Sequence, residues 1–325
     1  MRALLCKSYG PPESLVVEDV PSPEPGPGKV RIRVEAAGVN FPDALIIENK
    51  YQFKPELPFS PGGEVAGAVD AVGPGVEGFV VGDRVVASTL YGGFAEQCLA
   101  DAAKTIKLPP EFDPKIAAAI VIAHGTTWHG LFDRGEMTAE DRVLVLGAAG
   151  GVGLAAVEIA HAAGATVIAA ASSPEKLEVC RQHGADALID YARDDLRARV
   201  KEVCPEGPTI VYDPVGGELS EKAFRSIAPR GRHLIIGFAS GEIPRIPLNL
   251  PLLKFASLVG VFWGDYARRE PENNLRDLRT LMDWIREGRI KPVISATYPL
   301  AEGGAAIRHI AERRAIGKLV VEPQR

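Results

Sequence analysis

Charged and apolar residues alternate along Lys29-Val30-Arg31-Ile32-Arg33-Val34, the period-two pattern of a strand with one buried face. Glycine is dense from Pro61 to Asp83, at Gly62, Gly63, Gly67, Gly73, Gly75, Gly78 and Gly82. Short apolar runs (Glu64-Val65-Ala66, Val80-Val81, Val85-Val86) accompany these glycines. Strands joined by tight turns, as in a small barrel, give this texture. It extends over residues 1–120.

From about residue 114 apolar runs alternate with helical patterns. Arg142-Val143-Leu144-Val145-Leu146-Gly147 and Thr166-Val167-Ile168-Ala169-Ala170-Ala171 read as strands buried on both faces, with a helix over Gly153 to Ala163 between them. Ser173-Pro174 opens the next helix, with serine as cap and proline in the first turn. Further strands are predicted at Ala187–Asp190, Thr209–Tyr212 and His233–Gly237. This alternation predicts an α/β domain with a doubly wound parallel sheet over 121–264. The tail reads as a helix near Leu275–Arg286, a strand near Val293–Tyr298, a helix over Ala301–Arg313 and a strand at Lys318–Val321. Residues 265–325 are expected to return to the first domain.

A length of 325 residues suits two domains. A net charge of −5 and the lack of a Lys/Arg-rich run argue against a nucleic-acid partner. No apolar run reaches the roughly 20 residues of a membrane span. Cys6, Cys98, Cys180 and Cys204 form no CxxC pair, so buried thiols and a cytoplasmic home are expected.

The strongest chemical signal is Gly147-Ala148-Ala149-Gly150-Gly151-Val152-Gly153, between a strand and a helix. That context supports a dinucleotide site, where glycine lets the backbone approach a pyrophosphate and the helix N-terminus supplies free N–H donors. Gly150 and Gly153 match the second and third glycines of G-x-G-x-x-G, and Ala148 stands where the first would be. The plainer alternative is a tight turn without a ligand. NAD sites usually place Asp or Glu about 20 residues past the turn, on the ribose 2′-hydroxyl. Here that stretch is Ala169-Ala170-Ala171-Ser172-Ser173-Pro174. Ser172 and Ser173 leave room for a 2′-phosphate, and Lys176 is near enough in sequence to pair with it, so NADPH is the expected cofactor; the alternative is a solvated Lys176 with Glu175 on the ribose.

Taken with Ala37-Gly38-Val39-Asn40-Phe41-Pro42-Asp43, Pro61-Gly62-Gly63-Glu64-Val65-Ala66-Gly67 and Tyr212-Asp213-Pro214-Val215-Gly216-Gly217, the turn makes the chain resemble the medium-chain dehydrogenase/reductase superfamily. Within it, the chain resembles the zinc-free, zeta-crystallin-like quinone oxidoreductases. The resemblance implies a GroES-like barrel, a Rossmann domain, a cleft between them and a homodimer. It places Asn40, Asp43 and Thr126 as catalytic candidates on the substrate and nicotinamide side, with Tyr51 and Phe262 at the substrate. Ala149, Gly150, Gly151, Val152 and Gly153 fall over the pyrophosphate, Lys176 and Tyr191 around the adenosine phosphate, and Gly237, Phe238 and Ala239 near the nicotinamide. Structural alternatives stand beside these roles. Asn40 and Thr126 would equally satisfy buried backbone groups, Asp43 would cap a helix starting at Ala44, and Tyr51 and Tyr191 would serve as packing aromatics.

Zinc-dependent members need thiolate and imidazole ligands. The matching positions fall at Gly38-Val39-Asn40, with no cysteine, and at Gly63-Glu64, with glycine for histidine. Glu64 alone is expected to be a structural carboxylate. The metal-free expectation favours an acceptor that takes hydride easily. A quinone comes first and an enone or 2-enoyl thioester second. An NADPH-binding structural or regulatory protein with little turnover is the reading from another class.

Overall fold

The computed structural model describes every residue from Met1 to Arg325. The chain forms two compact units, Met1–Ala123 with Pro292–Arg325, and His124–Lys291. The first supplies β1 (Arg2–Leu5), β2 (Val16–Asp19), β3 (Lys29–Val39), α1 (Phe41–Ile47), β4 (Glu64–Val72), β5 (Arg84–Ser88), β6 (Gln97–Asp101), β7 (Thr105–Lys107) and α2 (Pro114–Ile120). Helix α3 (Ala123–Trp128) carries the chain into the second unit. That unit holds β8 (Arg142–Leu146), α4 (Gly151–Ala162), β9 (Thr166–Ala171), α5 (Pro174–Gln182), β10 (Ala187–Asp190), α6 (Leu196–Val203), β11 (Ile210–Asp213), α7 (Gly217–Ser226), β12 (Arg232–Ile235), α8 (Asn249–Lys254), β13 (Ser257–Gly260), α9 (Trp263–Arg269) and α10 (Pro271–Arg286). The chain then returns as β14 (Ile294–Pro299), α11 (Gly303–Ala311) and β15 (Lys318–Glu322).

In the first unit β3 is the spine of a sheet ordered β14-β15-β3-β4-β5-β7, with β6 also pairing with β3. Alternate residues Val30, Ile32 and Val34 point into a core with Val65, Val69, Val85, Phe94, Leu319 and Val321. β15 lies between β14, to which it is parallel, and β3, to which it is antiparallel. The late segment thus fills an interior place in the sheet.

The second unit is a parallel sheet ordered β10-β9-β8-β11-β12-β13. Counted from β8 this is the 3-2-1-4-5-6 order of a dinucleotide-binding fold. Val143, Leu144, Val145 and Leu146 are fully buried, as strands covered on both faces must be.

The segment expected to return at 265 stays in the second unit through Lys291. Polar pairs bind α9 to α10: Trp263 Nε1–H donates to Asn274 Oδ1 at 2.9 Å, and Tyr266 O–H to Asp277 Oδ2 at 2.6 Å. Helix α1 begins at Phe41, three residues before the start weighed for it, because Asn40 already holds the extended conformation of an N-cap. All four cysteines are buried and unpaired, and burial pushes the Cys98 and Cys180 thiols up to about 12. No helix is long and apolar enough to cross a membrane.

Candidate active site

Three glycines shape the turn between β8 and α4, each differently. Gly147 takes φ +56°, so the left-handed residue sits one position before Ala148, the place where the motif lacks its first glycine. Ala148 is buried, and its N–H donates to Ala170 O at 3.0 Å. Gly153 is a packing glycine, because a Cβ there would lie 2.2 Å from Gly147 O. Gly150 is the N-cap, at φ −75°, with no side-chain cap. A Cβ on it would meet only Gly147 O, at 3.4 Å, and otherwise open space. The N–H groups of Gly151, Val152 and Gly153, in the first turn of α4, have no acceptor within the helix. Together they form a main-chain anion cradle with positive dipole behind it. Ala149 completes the turn and is buried.

The next strand end carries no carboxylate. Ser173 caps α5 by accepting Lys176 N–H at 3.3 Å, and Lys176 Nζ lies 3.5 Å from Ser172 Oγ. Partial burial lowers the Lys176 amine below its usual range, against the opposing pull of Glu175. A half-desolvated ammonium of this kind favours an anionic partner. Tyr191 joins the same end of the sheet, its N–H donating to Ala171 O at 3.1 Å.

The ends of β11 and β12 are tied together. Asp213 accepts from Val215 N–H, Gly216 N–H, Ser220 O–H and His233 Nε2, which fixes the Pro214–Gly217 turn. Ala239 and Ser240 N–H donate to Pro214 and Val215 carbonyls, so Gly237, Phe238 and Ala239 follow that turn. Phe238 and Phe262, the latter at the start of α9, are both partly open to solvent. Thr126 lies on α3, but its neighbour Thr127 makes the connecting bonds, to Val152 O at 3.1 Å and Tyr212 O–H at 2.8 Å. His129 stacks on Tyr266 at 4.1 Å, and His124 lies against Glu158.

In the first unit the candidate polar side chains are already engaged. Asn40 Nδ2–H donates to Glu64 Oε1 at 2.8 Å, and its Oδ1 accepts from Lys318 Nζ at 2.6 Å. Lys318 also donates to Glu64 Oε1 at 2.8 Å and Val39 O at 3.0 Å. Glu64 Oε2 accepts Ile122 N–H at 2.8 Å. Glu64 and Lys318 are almost wholly buried. Asp43 engages one oxygen with Asn40 N–H at 2.8 Å and the other with Gly62 N–H at 3.0 Å.

Burial pushes the Asp43 carboxyl from its usual 3.8 up to about 7, and its main-chain donors offset only part of that. The folded protein therefore holds a proton that the unfolded chain has released. Asp43's contribution makes stability fall as pH rises from about 4 through about 7, and it levels off above. Asp43→Asn is expected to flatten this part of the stability–pH profile in urea unfolding; an unchanged slope would contradict the assignment. Burial, with the Asp43 charge adding to it, also raises the pKa of the Tyr51 hydroxyl.

Family models match both units: the description "Alcohol dehydrogenase GroES-like domain" over residues 26–110 and "Zinc-binding dehydrogenase" over 151–285. The "Quinone oxidoreductase-like protein 2 homolog" of Nematostella vectensis is 38% identical, over 98% of this chain and 88% of its own. The "Quinone oxidoreductase" of Pseudomonas aeruginosa is 37% identical, over 97% of this chain and 98% of its own. This chain belongs to the quinone oxidoreductase family. The quinone oxidoreductase of Escherichia coli, in a crystal structure complexed with NADPH, superposes with a TM-score of 0.93 at 28% identity, over 99% of this chain and 100% of that one.

Membership makes the chain an oxidoreductase of the medium-chain type. One family description names zinc, yet this quinone oxidoreductase relative places no three His, Cys, Asp or Glu side chains where they would hold a metal. Reading the sequence missed Lys318, Thr127 and Glu158. Lys318 carried no local signal, since its partners lie 254 and 278 positions away. Thr127 lies beside Thr126, to which the resemblance points. Glu158 was legible only as a lone carboxylate in an apolar helix, Gly151-Val152-Gly153-Leu154-Ala155-Ala156-Val157-Glu158-Ile159-Ala160.

Proposed function

We propose that this protein is an NADPH-dependent quinone reductase that works without metal. One observation carries the reading: an open main-chain anion cradle at Gly150–Gly153 is followed by a strand end offering Ser172, Ser173 and Lys176 in place of a carboxylate. The names of the relatives and the NADPH complex of the Escherichia coli protein support it. Bound NADPH supplies a hydride.

The chain's own residues bind and orient. N–H groups of Gly151, Val152 and Gly153 receive the pyrophosphate, and Gly150 leaves the approach free. Lys176, with Ser172, Ser173 and Tyr191, receives the 2′-phosphate. The Gly237–Ala239 segment, Thr126 and Phe262 border the nicotinamide side. Asn40 and Asp43 act as scaffold, holding the chain before α1 and the Gly62 turn, rather than as proton carriers. The Tyr51 phenol carries its proton at neutral pH as any tyrosine does, and burial and Asp43 disfavour the phenolate further, so it offers a donor to an acceptor oxygen. The Lys318 ammonium already neutralises Glu64, which supports the metal-free reading.

Lys176→Ala is expected to weaken NADPH binding about 10- to 100-fold, the loss of one charge-assisted contact, while NADH binding barely changes. Fluorescence titration of both coenzymes measures this; equal effects on the two would remove the 2′-phosphate assignment. The acceptor is tested by NADPH oxidation over quinones, enones and enoyl-CoA thioesters. Turnover with quinones alone supports the proposal. Turnover with thioesters or enones alone replaces it with double-bond reduction, and no turnover replaces it with a binding protein.

The working form is a homodimer. β13 is an edge strand, and Ile243, Leu248, Leu252, Leu253 and Phe255, just before it, are 63–83% exposed. An exposed edge beside large apolar side chains is a self-association surface. Sedimentation velocity is expected to give a dimer, and Leu252→Glu with Leu253→Glu a monomer; a monomeric wild type would end this part of the proposal. Four buried thiols suit a reducing, cytoplasmic compartment.

A further inference from the structure

The chain passes between its units twice, at Ala123–His124 and at Lys291–Pro292. Within the second unit, both passages are fastened to α4. The first is fastened by Thr127 O–H, which donates to Val152 O at 3.1 Å, while His124 Nε2 stands 3.5 Å from Glu158 Oε2, close enough for charge attraction but without a hydrogen bond. The second is held likewise. Lys291 N–H donates to Glu158 Oε1 at 3.1 Å, and the Arg289 guanidinium donates to Ala162 O at 3.2 Å. The same Glu158 Oε1 is 2.7 Å from His183 Nδ1, at the end of α5, whose other end carries Ser173 and Lys176.

Glu158 is thus the meeting point of the unit's first residue, its last residue and the end of α5. It is only 4% exposed. Burial of a carboxylate in an apolar helix is costly unless it is paired. Burial pushes its pKa up, yet pairing with His124 and His183 overrides this and holds the carboxyl down to about 2. Seven residues of rigid helix, about 10 Å, separate it from Gly151 at the anion cradle. A regular helix can carry a rigid-body shift of its N-terminus to a point two turns away.

We infer that Glu158 is a positioning residue through which occupancy of the cradle at the start of α4 sets the order of both passages between the units. The inference rests on NADPH binding at that cradle. It deepens the proposed function by assigning a carboxylate that makes no contact of its own with the reactants.

Hydrogen exchange followed by mass spectrometry tests it on the full-length protein, with and without NADPH. In wild type, NADPH is expected to slow exchange at least fivefold in peptides spanning 122–128 and 288–293, besides the turn at 147–153. Glu158→Gln, nearly isosteric, is expected to lose that linkage at both passages and to lower kcat about tenfold, with the NADPH dissociation constant within threefold of wild type. His183→Gln, which leaves both passages their contacts with Glu158, is expected to keep the protection. NADPH binding with no change at the passages overturns the inference alone. Failure to bind NADPH overturns the proposed function with it. A Glu158→Gln protein with wild-type exchange and kcat also overturns it, and should that variant not fold, Glu158→Asp, whose shorter side chain withdraws the carboxylate from Lys291 and His124, is read by the same two measures.

Discussion

Gly150→Val is expected to lower NADPH affinity by at least about 100-fold while the protein stays folded. Valine adopts the φ of −75° at this position without strain, and its Cβ would meet only one protein atom, at 3.4 Å. Its methyl groups instead enter the space before the first N–H groups of α4. Losing two hydrogen bonds to a charged group costs roughly 3–6 kcal/mol, and each 1.4 kcal/mol is about tenfold in affinity. Gly153→Ala is the contrasting variant. Its Cβ would stand 2.2 Å from Gly147 O, so the damage falls on the fold, by about 1–3 kcal/mol. Coenzyme titration and thermal melts of both variants separate the roles. A Gly150→Val protein that binds NADPH normally would show that the cradle lies elsewhere.

Lys318→Met is expected to destabilise the first unit by about 3–5 kcal/mol. The substitution keeps apolar bulk but leaves Glu64 as a buried charge without its cation, and strips Asn40 Oδ1 of its donor. Adding Glu64→Gln removes the stranded charge and is expected to recover most of the loss. Urea unfolding of the single and double variants measures both steps. A single variant within about 1 kcal/mol of wild type would mean that water or another group compensates the carboxylate.

The parallel sheet was legible because its strands announce themselves locally. The run of residues 143–146 is apolar without interruption, and the glycines after it mark a tight turn into a helix. Serine-proline at 173–174 likewise predicted the start of α5, and Ser173 caps it. What stayed hidden depends on residues far apart in sequence. Asn40 and Asp43 read equally well as pocket residues or as scaffold, and nothing nearby distinguishes the two. The contacts that favour scaffold, with Lys318 and with the Gly62 turn, lie outside the local sequence. Ala148 looked like a defect in the glycine pattern only because the left-handed residue is one position earlier. The placement of residues 265–291 in the second unit is not legible in the sequence, because an amphipathic helix shows that it packs, not what it packs against. The packing of Tyr266 on His129 and of Trp284 on Trp128, which ties α9 and α10 to the start of the second unit, carries that information.

The interior place of β15 has a consequence for biosynthesis. Its antiparallel neighbour β3, and β4 beyond it, leave the ribosome early, but the strand that completes their sheet and carries the lysine for Glu64 emerges only after residues 124–291. The first unit to be translated is therefore the last to close, with an open strand edge and an unneutralised carboxylate in the meantime. A nascent chain stalled before Lys318 should be a good client for chaperones that recognise exposed strand edges, and release of the full chain should end that recognition.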